Sequence, residues 1–331
     1  MKKLLPFLLV LFSGLAFGQP NRQNAKAPVK APQPSLSATG LKHLKLMEDT
    51  LQALGEKFTY DSLLDERKKA CYTFIPKLVQ ALKTENSFYY PFDSLETMAK
   101  VYAPDSSFRI FTWQLVLPKG HFRYYGVMQM RSSQLKIFPL YDLSDTMTYH
   151  SQLVTTNDNW YGCLYYNIIA RQVDKKQVYT LFGYEAADVI TRRKVLDILT
   201  FDDKGKPKFG APVFYVKYEE DSMHYKRVDT FSRFFIEYKY NAPTVFNYDA
   251  NMGMIVFDHV APPNDKAKGA TFSYVPDGTY EGFLWHNNRW DWVEKVFTFG
   301  INEMDNPPVP APLFGDPKRQ PELPTEDVKP K

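Results

Sequence analysis

The stretch that decides the fold is FRIFTWQLVL (108–117), followed by PKG (118–120) and HFRYYGVMQM (121–130). Up to Pro104 the apolar residues recur with helical spacing, and from Phe108 onward they alternate as in a β-strand. The PKG segment has the chemistry of a turn, and the residues after it return as a second strand. This stretch therefore predicts an antiparallel hairpin and the start of a β domain.

Further strands are predicted along the chain at 134–140, 160–170, 177–184, 193–201, 209–218, 231–240, 244–248, 254–259, 280–285 and 290–299. Short turns join them, and no helix-like segment lies between them. This order is typical of an antiparallel meander and disfavours a parallel sheet with crossover helices. We expect one β domain over residues 105–300.

Several of these strands are apolar on both faces, as in Trp290 and Trp292 against Val293 and Phe297. Sheets made of such strands need cover on both sides, which favours a β-sandwich. A propeller-like stack of small sheets is the alternative, although no residue motif recurs along the chain. The predicted fold class is mainly β with an N-terminal helical segment.

The helical segment covers residues 37–104. One apolar helix face is formed by residues at steps of three and four, namely Leu41, Leu44, Met47, Leu51 and Leu54. A second helix is predicted to begin at a Ser62 cap, and Pro76 should kink it or end its first half. Asp93 and Glu96 have the spacing of a capping box, which predicts a short third helix.

The N-terminus has the layout of a secretory signal peptide. A basic start (Met1–Lys3) precedes an apolar stretch (Leu4–Phe12), and small residues lead to a cleavage site after Gly18. The apolar stretch is shorter than the ~20 residues that cross a bilayer. We therefore expect an exported chain, with residues 1–18 removed, that is soluble or peripheral to a membrane.

Proline-rich segments flank the folded part, at 19–36 and 301–331. Both are expected to be extended or disordered, because proline removes backbone donors and few residues there could form a core. Within the second segment, Leu313 and Phe314 are the side chains best suited to anchor a binding partner.

Charge and composition exclude some classes of function. The chain has 41 basic and 37 acidic residues, and loss of Lys2 and Lys3 leaves 39 − 37 = +2. This near-neutral balance argues against a dedicated nucleic-acid-binding protein. The six histidines are scattered without zinc-site spacing, and nucleotide, serine-hydrolase and C-x-x-C motifs are absent from the sequence. We therefore expect no cofactor and no metal.

Three local patterns have simpler interpretations than the chemistry they resemble. Ser133 and Lys136 have the S-x-x-K spacing of acyl enzymes, but they lie in a predicted strand without companion motifs. Residues 249–253 resemble the start of a calcium loop, but later ligands are missing and a hairpin turn is favoured. The basic run 192–194 is predicted to be a solvated strand edge.

The aromatic cluster formed by Tyr280, Trp285, Trp290 and Trp292 is the main candidate for a binding site. It could form a stacking platform for sugar rings or for a partner's side chains. The alternative is the hydrophobic core of a hairpin, which is the more common role of large aromatic residues.

Two other kinds of residue are candidates for local chemistry. An acidic neighbour could orient a histidine in the pairs Asp258–His259 and His286–Asp291. Cys71 and Cys163 permit a disulfide in an oxidising compartment, whereas their apolar neighbours favour buried free thiols.

Three stretches carry a resemblance to a known group of proteins: LFGYE with RKVLDIL (181–185 and 193–199), YEGFLW with WDW (280–285 and 290–292), and the strand 108–114. The chain resembles uncharacterised exported proteins of Bacteroidetes. That resemblance implies a Gram-negative envelope, in the periplasm or on the periplasmic face of the outer membrane. It implies no established activity and no catalytic residues.

Two functions from different classes are therefore predicted. The first is a non-enzymatic envelope protein that binds a protein partner, such as an accessory subunit of an envelope assembly. The alternative is a glycan-binding module or a hydrolase whose site is assembled only in the fold. A deep cleft lined by a carboxylate pair, or by a histidine and an aspartate within hydrogen-bond reach, would favour the alternative. An aromatic or apolar patch without such a cleft would favour the first function.

Deletion of residues 306–331 tests the predicted role of the tail. We expect the melting temperature to change by no more than the few degrees that ~1 kcal/mol produces. Capture of an envelope partner in a pull-down should weaken, because extended proline-rich segments dock with little ordering cost. A deletion that unfolds the protein would instead place the tail in the core.

Overall fold

A computed structural model describes residues 35–297, apart from residues 149, 175 and 220–225. Its architecture is mainly β, with three sheets and two helices near the N-terminus, as the sequence predicts. The signal peptide, nearly all of the proline-rich linker, and Leu313 and Phe314 lie outside the described residues.

The helical segment is a hairpin of α1 (Ala38–Tyr60) and α2 (Leu64–Leu82). The Ser37 hydroxyl caps α1 by accepting a 3.0 Å hydrogen bond from Gly40 N. Pro76 is predicted to kink α2 or to end its first half, but it does not end the helix, which continues to Leu82. The proline is exposed, so the carbonyl that loses its partner can face solvent. Ser62 does not cap this helix.

The predicted third helix is wrong. Residues 93–98 form turns, and β1 (Ala99–Tyr102) follows, paired antiparallel with β2 (Phe108–Val116). The first of these turns is fixed from outside, because Ser94 N donates a 2.8 Å hydrogen bond to Glu48 Oε1 on α1. Pairing with a long neighbouring strand outweighed the local capping pattern.

The first sheet has the order β1-β2-β3-β4, where β3 is Phe122–Met130 and β4 is Ile137–Tyr141. The predicted hairpin is confirmed, since β2 and β3 pair from Phe108 with Met130 to Val116 with Phe122. Ser133 and Lys136 lie in the loop before β4 rather than in a strand.

The middle sheet contains β5 (Thr155–Thr156), β6 (Leu164–Val173), β7 (Lys176–Glu185), β8 (Thr191–Phe201), β9 (Pro207–Phe209) and β12 (Arg233–Lys239). Its order is β5-β9-β8-β7-β6, and β12 pairs with the first half of β8.

The third sheet contains β10 (Phe214–Glu219), β11 (Lys226–Phe231), β13 (Phe246–Asp249), β14 (Met254–Ala261), β15 (Val275–His286) and β16 (Arg289–Val293). Its order is β11-β10-β16-β15-β14-β13, with one parallel pair between β10 and β16.

Strand alternation divides the interior into three cores. On β2, Phe111 and Trp113 pack against the helices, while Phe108 and Ile110 face the middle sheet. On β7, Tyr179 and Leu181 face the first sheet, while Val178 and Phe182 face the third. The sheets therefore stack face to face as an extended sandwich, and the middle sheet is covered on both sides.

A buried ion pair joins β12 to β8. Arg233 Nε lies 3.0 Å from Asp197 Oδ2, out of line for a hydrogen bond, and both side chains are almost fully buried. The Tyr165 hydroxyl donates to the same carboxylate, and Arg233 Nη1 donates to the His150 carbonyl at 2.8 Å. Each charge is thus complemented by several polar groups.

Arg233→Met should lower the free energy of unfolding by about 3–5 kcal/mol, because it leaves Asp197 buried without its counter-charge. The double variant Arg233→Met/Asp197→Leu should recover most of that loss, as measured by urea unfolding. Lys57→Met, which breaks an exposed ion pair with Glu66, serves as the control and should leave the midpoint unchanged. A double variant no more stable than the single one would contradict this account.

Candidate functional site

The pairing of β14 with β15 is interrupted near one end of the third sheet. Asp258 pairs with Tyr280, and the next registered pair is Val260 with Pro276, so residues 277–279 stand opposite the single residue His259. Gly278 makes this bulge with φ at +89°, a conformation that favours glycine. Bulges of this kind change the direction of side chains, and this bulge brings three polar residues together.

These residues form the acid–imidazole cluster, which we define as His259, Asp277 and Glu281. His259 Nδ1 lies 2.7 Å from Asp277 Oδ2, and His259 Nε2 lies 4.0 Å from Glu281 Oε1. The His259 and Asp277 side chains are 39% and 35% exposed, whereas Glu281 is 16% exposed. The Nδ1 edge of the His259 imidazole is therefore fixed by Asp277, and its Nε2 edge faces Glu281, which is more deeply buried.

The environments of the two carboxyl groups shift their pKa values in opposite directions. Partial burial alone would raise the pKa of Asp277, but hydrogen bonds from Thr279 and the contact with His259 lower it below its ordinary value. Burial raises the pKa of Glu281 to about 7, against the opposing effects of His259 and Trp292. Near neutral pH, Asp277 is ionised and accepts a hydrogen bond from the Nδ1–H group of His259, while Glu281 is partly protonated.

One aromatic side chain lies beside the acid–imidazole cluster. The indole N–H of Trp292 donates to the Glu281 carboxyl. Trp292 retains some exposure, so the polar cluster borders a partly accessible aromatic side chain. Tyr280 meets Phe297 edge to face, with ring centroids 5.5 Å apart, but as the chain neighbour of Glu281 it stands on the opposite face of β15.

The structure divides the predicted aromatic cluster into two parts. Trp290 is fully buried, and its Nε1 donates a 3.0 Å hydrogen bond to Thr180 Oγ1 of the middle sheet. Trp285 packs edge to face on Trp290 at 5.0 Å. Trp290 lies in the core between the middle and third sheets, and Trp285 and Trp292 both pack against that core. Trp292 also contacts Glu281, whereas Tyr280 stands on the opposite face of β15.

Sequence reasoning found His259 but chose the wrong acidic partner. Asp258, its chain neighbour, accepts a hydrogen bond from Val245 N instead. Asp277 contacts His259 only because the bulge brings β15 across from β14. Its PDGT segment (276–279) is a turn signal, but that signal does not reveal which histidine the turn will meet.

The second predicted pair is present in a different setting. His286 Nδ1 lies 3.6 Å from Asp291 Oδ2, and Asp291 also pairs with Arg289 at 2.7 Å. His286 is 63% exposed on the β15–β16 turn, so this pair provides a matched control for His259.

The two cysteines are free, buried thiols in different cores. Cys71 packs between the helices and the first sheet, and Cys163 packs between the first and middle sheets. Burial raises the pKa of Cys71 to about 11, which keeps it a neutral thiol. No disulfide joins them in the structure.

Two other local predictions have clear outcomes. The calcium-like segment is a hairpin turn, in which Asp249 Oδ1 accepts hydrogen bonds from Asn251 N and Met252 N. The basic run 192–194 is not a solvated edge: it lies in β8, which pairs with β7 on one side and β12 on the other.

Neither of two surface clefts contains the predicted site residues. One of about 380 Å³ lies beside α1, lined by Gln52, Glu56, Tyr60, Ser94, Glu96 and Thr97. The other, of about 540 Å³, lies at the β6–β7 and β8–β9 turns. Within the described residues, no group of His, Cys, Asp and Glu side chains is placed to hold a metal ion, and no helix is long and apolar enough to cross a membrane.

No family model, curated protein or solved structure matches this chain. The similarity to exported Bacteroidetes proteins thus stays a prediction, and the chemistry of the acid–imidazole cluster is the basis for inferring a function.

Glu281→Gln should change how stability depends on pH. In the unfolded chain this carboxyl ionises near the ordinary glutamate pKa of 4.5, but in the folded protein it holds its proton to about 7. Its contribution to stability is therefore present below pH ~4.5 and is lost as pH rises through ~7, by up to about 3 kcal/mol. As pH rises from ~4.5 to ~7, the free energy of unfolding of the variant should therefore increase relative to wild type by up to about 3 kcal/mol, as measured by urea unfolding.

The exposed Glu85→Gln variant is the control and should run parallel to wild type at every pH. Parallel profiles for Glu281→Gln as well would contradict the raised pKa of Glu281.

Proposed function

We propose that this chain is an exported binding protein of the cell envelope and that the acid–imidazole cluster holds its ligand. Export is supported by the layout of residues 1–18 and by the resemblance to exported proteins. The ligand site is supported by one observation above all, the hydrogen bond that fixes His259 against Asp277 at the surface. Fixed polar groups bind with less loss of side-chain entropy than mobile ones.

A glycan is the ligand class that fits this chemistry best. Sugars present hydroxyl groups at the ring edge and C–H groups on the ring face. Asp277 can accept hydrogen bonds from hydroxyls, and a protonated Glu281 can donate one. Trp292 adds a partly exposed aromatic ring, which suits contact with the C–H groups on a sugar face.

The acid–imidazole cluster also has one property of a hydrolytic site. An ionised Asp277 close to a Glu281 that titrates near neutral pH is the separation of pKa values that acid–base catalysis uses. A gap of 4.0 Å between His259 and Glu281 is longer than a direct hydrogen bond and suits a bridging water. Any bound glycan should therefore be examined for cleavage as well as for binding.

Protein-partner binding, the other predicted function, depends on the proline-rich tail with Leu313 and Phe314. Because those residues lie outside the described part of the chain, this function stays a prediction that the tail deletion tests. A protein partner captured without the tail, and lost on substitution of His259, would move the partner site to the acid–imidazole cluster.

Calorimetric titration of the chain from residue 19 with envelope oligosaccharides tests glycan binding. Peptidoglycan fragments and lipopolysaccharide core oligosaccharides are suitable probes. Asp277→Asn and His259→Gln should each weaken binding about tenfold or more, since hydrogen bonds to charged groups contribute roughly 1.5–3 kcal/mol. Mass spectrometry of the recovered oligosaccharide reports any cleavage.

His286→Gln is the matched control because it alters a second histidine–aspartate pair of the third sheet, between β15 and β16, and it should retain wild-type affinity. Absence of binding to all of these oligosaccharides, or an equal loss in His286→Gln, would refute the proposal.

A further inference from the structure

The basic run in β8 places its three cations in different environments. Arg192 Nη1 donates to the carbonyls of Ala186, Asp188 and Thr191, and so holds the loop before β8. Arg193 pairs with Glu185 and Glu237. Lys194 alone has neither a carboxylate nor a carbonyl partner among the described residues.

Lys194 is held between tyrosine rings instead. Its Nζ lies 4.6 Å from the centre of the Tyr166 ring and 5.3 Å from that of Tyr184, its cross-strand partner. It lies on the face of β8 that carries Leu196 and Ile198 toward the third sheet. Partial burial lowers the pKa of Lys194, and no anion in the described part of the chain opposes that shift.

Two tyrosine hydroxyl groups near Lys194 are further potential donors. The Tyr238 side chain is buried at 4% exposure and stands diagonal to Lys194, opposite Arg192. Burial raises its pKa to about 12, and Tyr184 and Arg192 lie close enough to influence that value. Tyr166 donates to the Phe246 carbonyl, but within the described chain neither Tyr184 nor Tyr238 makes a hydrogen bond through its hydroxyl.

Three donors therefore share one end of the middle sheet without an acceptor among the residues that the structure describes. Asp188, in the loop before β8, already accepts hydrogen bonds from Ile190 N and from the backbone and hydroxyl of Thr191. A partly dehydrated ammonium without a counter-ion is unfavourable, and an anionic oxygen would relieve that cost. Lysine and tyrosine hydroxyls together are suited to phosphoryl or carboxylate oxygens.

We propose that Tyr184, Lys194 and Tyr238 form a binding site for an oxyanion, the phosphoryl or carboxylate group of a small solute. The site stands on different strands from the acid–imidazole cluster and does not depend on the glycan proposal. Arg192 adds positive charge beside it, while its own donors remain on the loop carbonyls.

Titration of the chain from residue 19 with inorganic phosphate, and separately with acetate, tests this site. We expect calorimetric binding and a rise in melting temperature at concentrations up to about 10 mM with at least one of them. The two arms distinguish a phosphoryl from a carboxylate ligand. Lys194→Met keeps an unbranched apolar side chain between the rings and should abolish the effect.

Tyr184→Phe and Tyr238→Phe remove only a hydroxyl and should each weaken binding about tenfold. The exposed Lys208→Met in β9 is the control and should bind like wild type. Bound anion should also slow acylation of Lys194, mapped by mass spectrometry on the unaltered chain. The proposal is overturned if neither anion binds wild type, if Lys194→Met binds equally well, or if both phenylalanine variants keep full affinity.

Discussion

Two adjacent residues of β12 tie the layers of this protein together. Arg233 faces the first sheet and forms the buried ion pair with Asp197. Phe234 points the opposite way, with its ring 4.9 Å from Phe283 and 5.5 Å from Phe257 of the third sheet. Because alternate residues of a strand face opposite sides, a slip of one residue would exchange a charge with an aromatic ring. The ion pair therefore fixes the register on which both flanking cores depend.

The ion pair also organises the chain that precedes the middle sheet. The Ser151 carbonyl accepts hydrogen bonds from the backbone of Ser232 and Arg233. Trp160 Nε1 donates to the Tyr165 hydroxyl, which in turn donates to Asp197. Burying two charges costs several kcal/mol unless their remaining polar atoms are satisfied, and these contacts supply that complement. Polar contacts to the buried ion pair thus hold in place the segment around residues 150–160, which has little regular secondary structure.

The sequence predicts an element correctly where local residue chemistry and burial favour the same structure. It fails where the structure depends on which distant strand pairs with the segment. The alternating apolar residues of β2 and the turn after it predict the hairpin directly. The turn at 249–253 was likewise identified, because asparagine and glycine satisfy its geometry locally. By contrast, the capping pattern of Asp93 and Glu96 predicts a short helix, but those residues form turns and the residues after them pair with β2 as strand β1.

The candidate sites show the same limit more sharply. His259 meets an aspartate 18 residues away because two extra residues on β15 form a bulge. No periodicity in the sequence announces that bulge, although Gly278 is its conformational requirement. The basic run 192–194 predicts a solvated strand edge, but β12 pairs along that side of β8 and leaves Lys194 partly buried.

The charged groups that maintain this fold are fully paired by neighbouring residues, whereas those available to a ligand are only partly paired. Asp197 and Arg233 are enclosed and complemented by their neighbours, so a ligand would have to displace existing contacts to reach them. Glu281 and Lys194 are only partly dehydrated and incompletely paired, Glu281 across a 4.0 Å gap and Lys194 against ring faces. The apolar cores supply the low dielectric that shifts their pKa values, and the ends of the sheets supply access to solvent. The three apolar cores occupy the centres of the strands. Charged groups that are both partly buried and accessible to solvent are therefore found at strand ends and bulges.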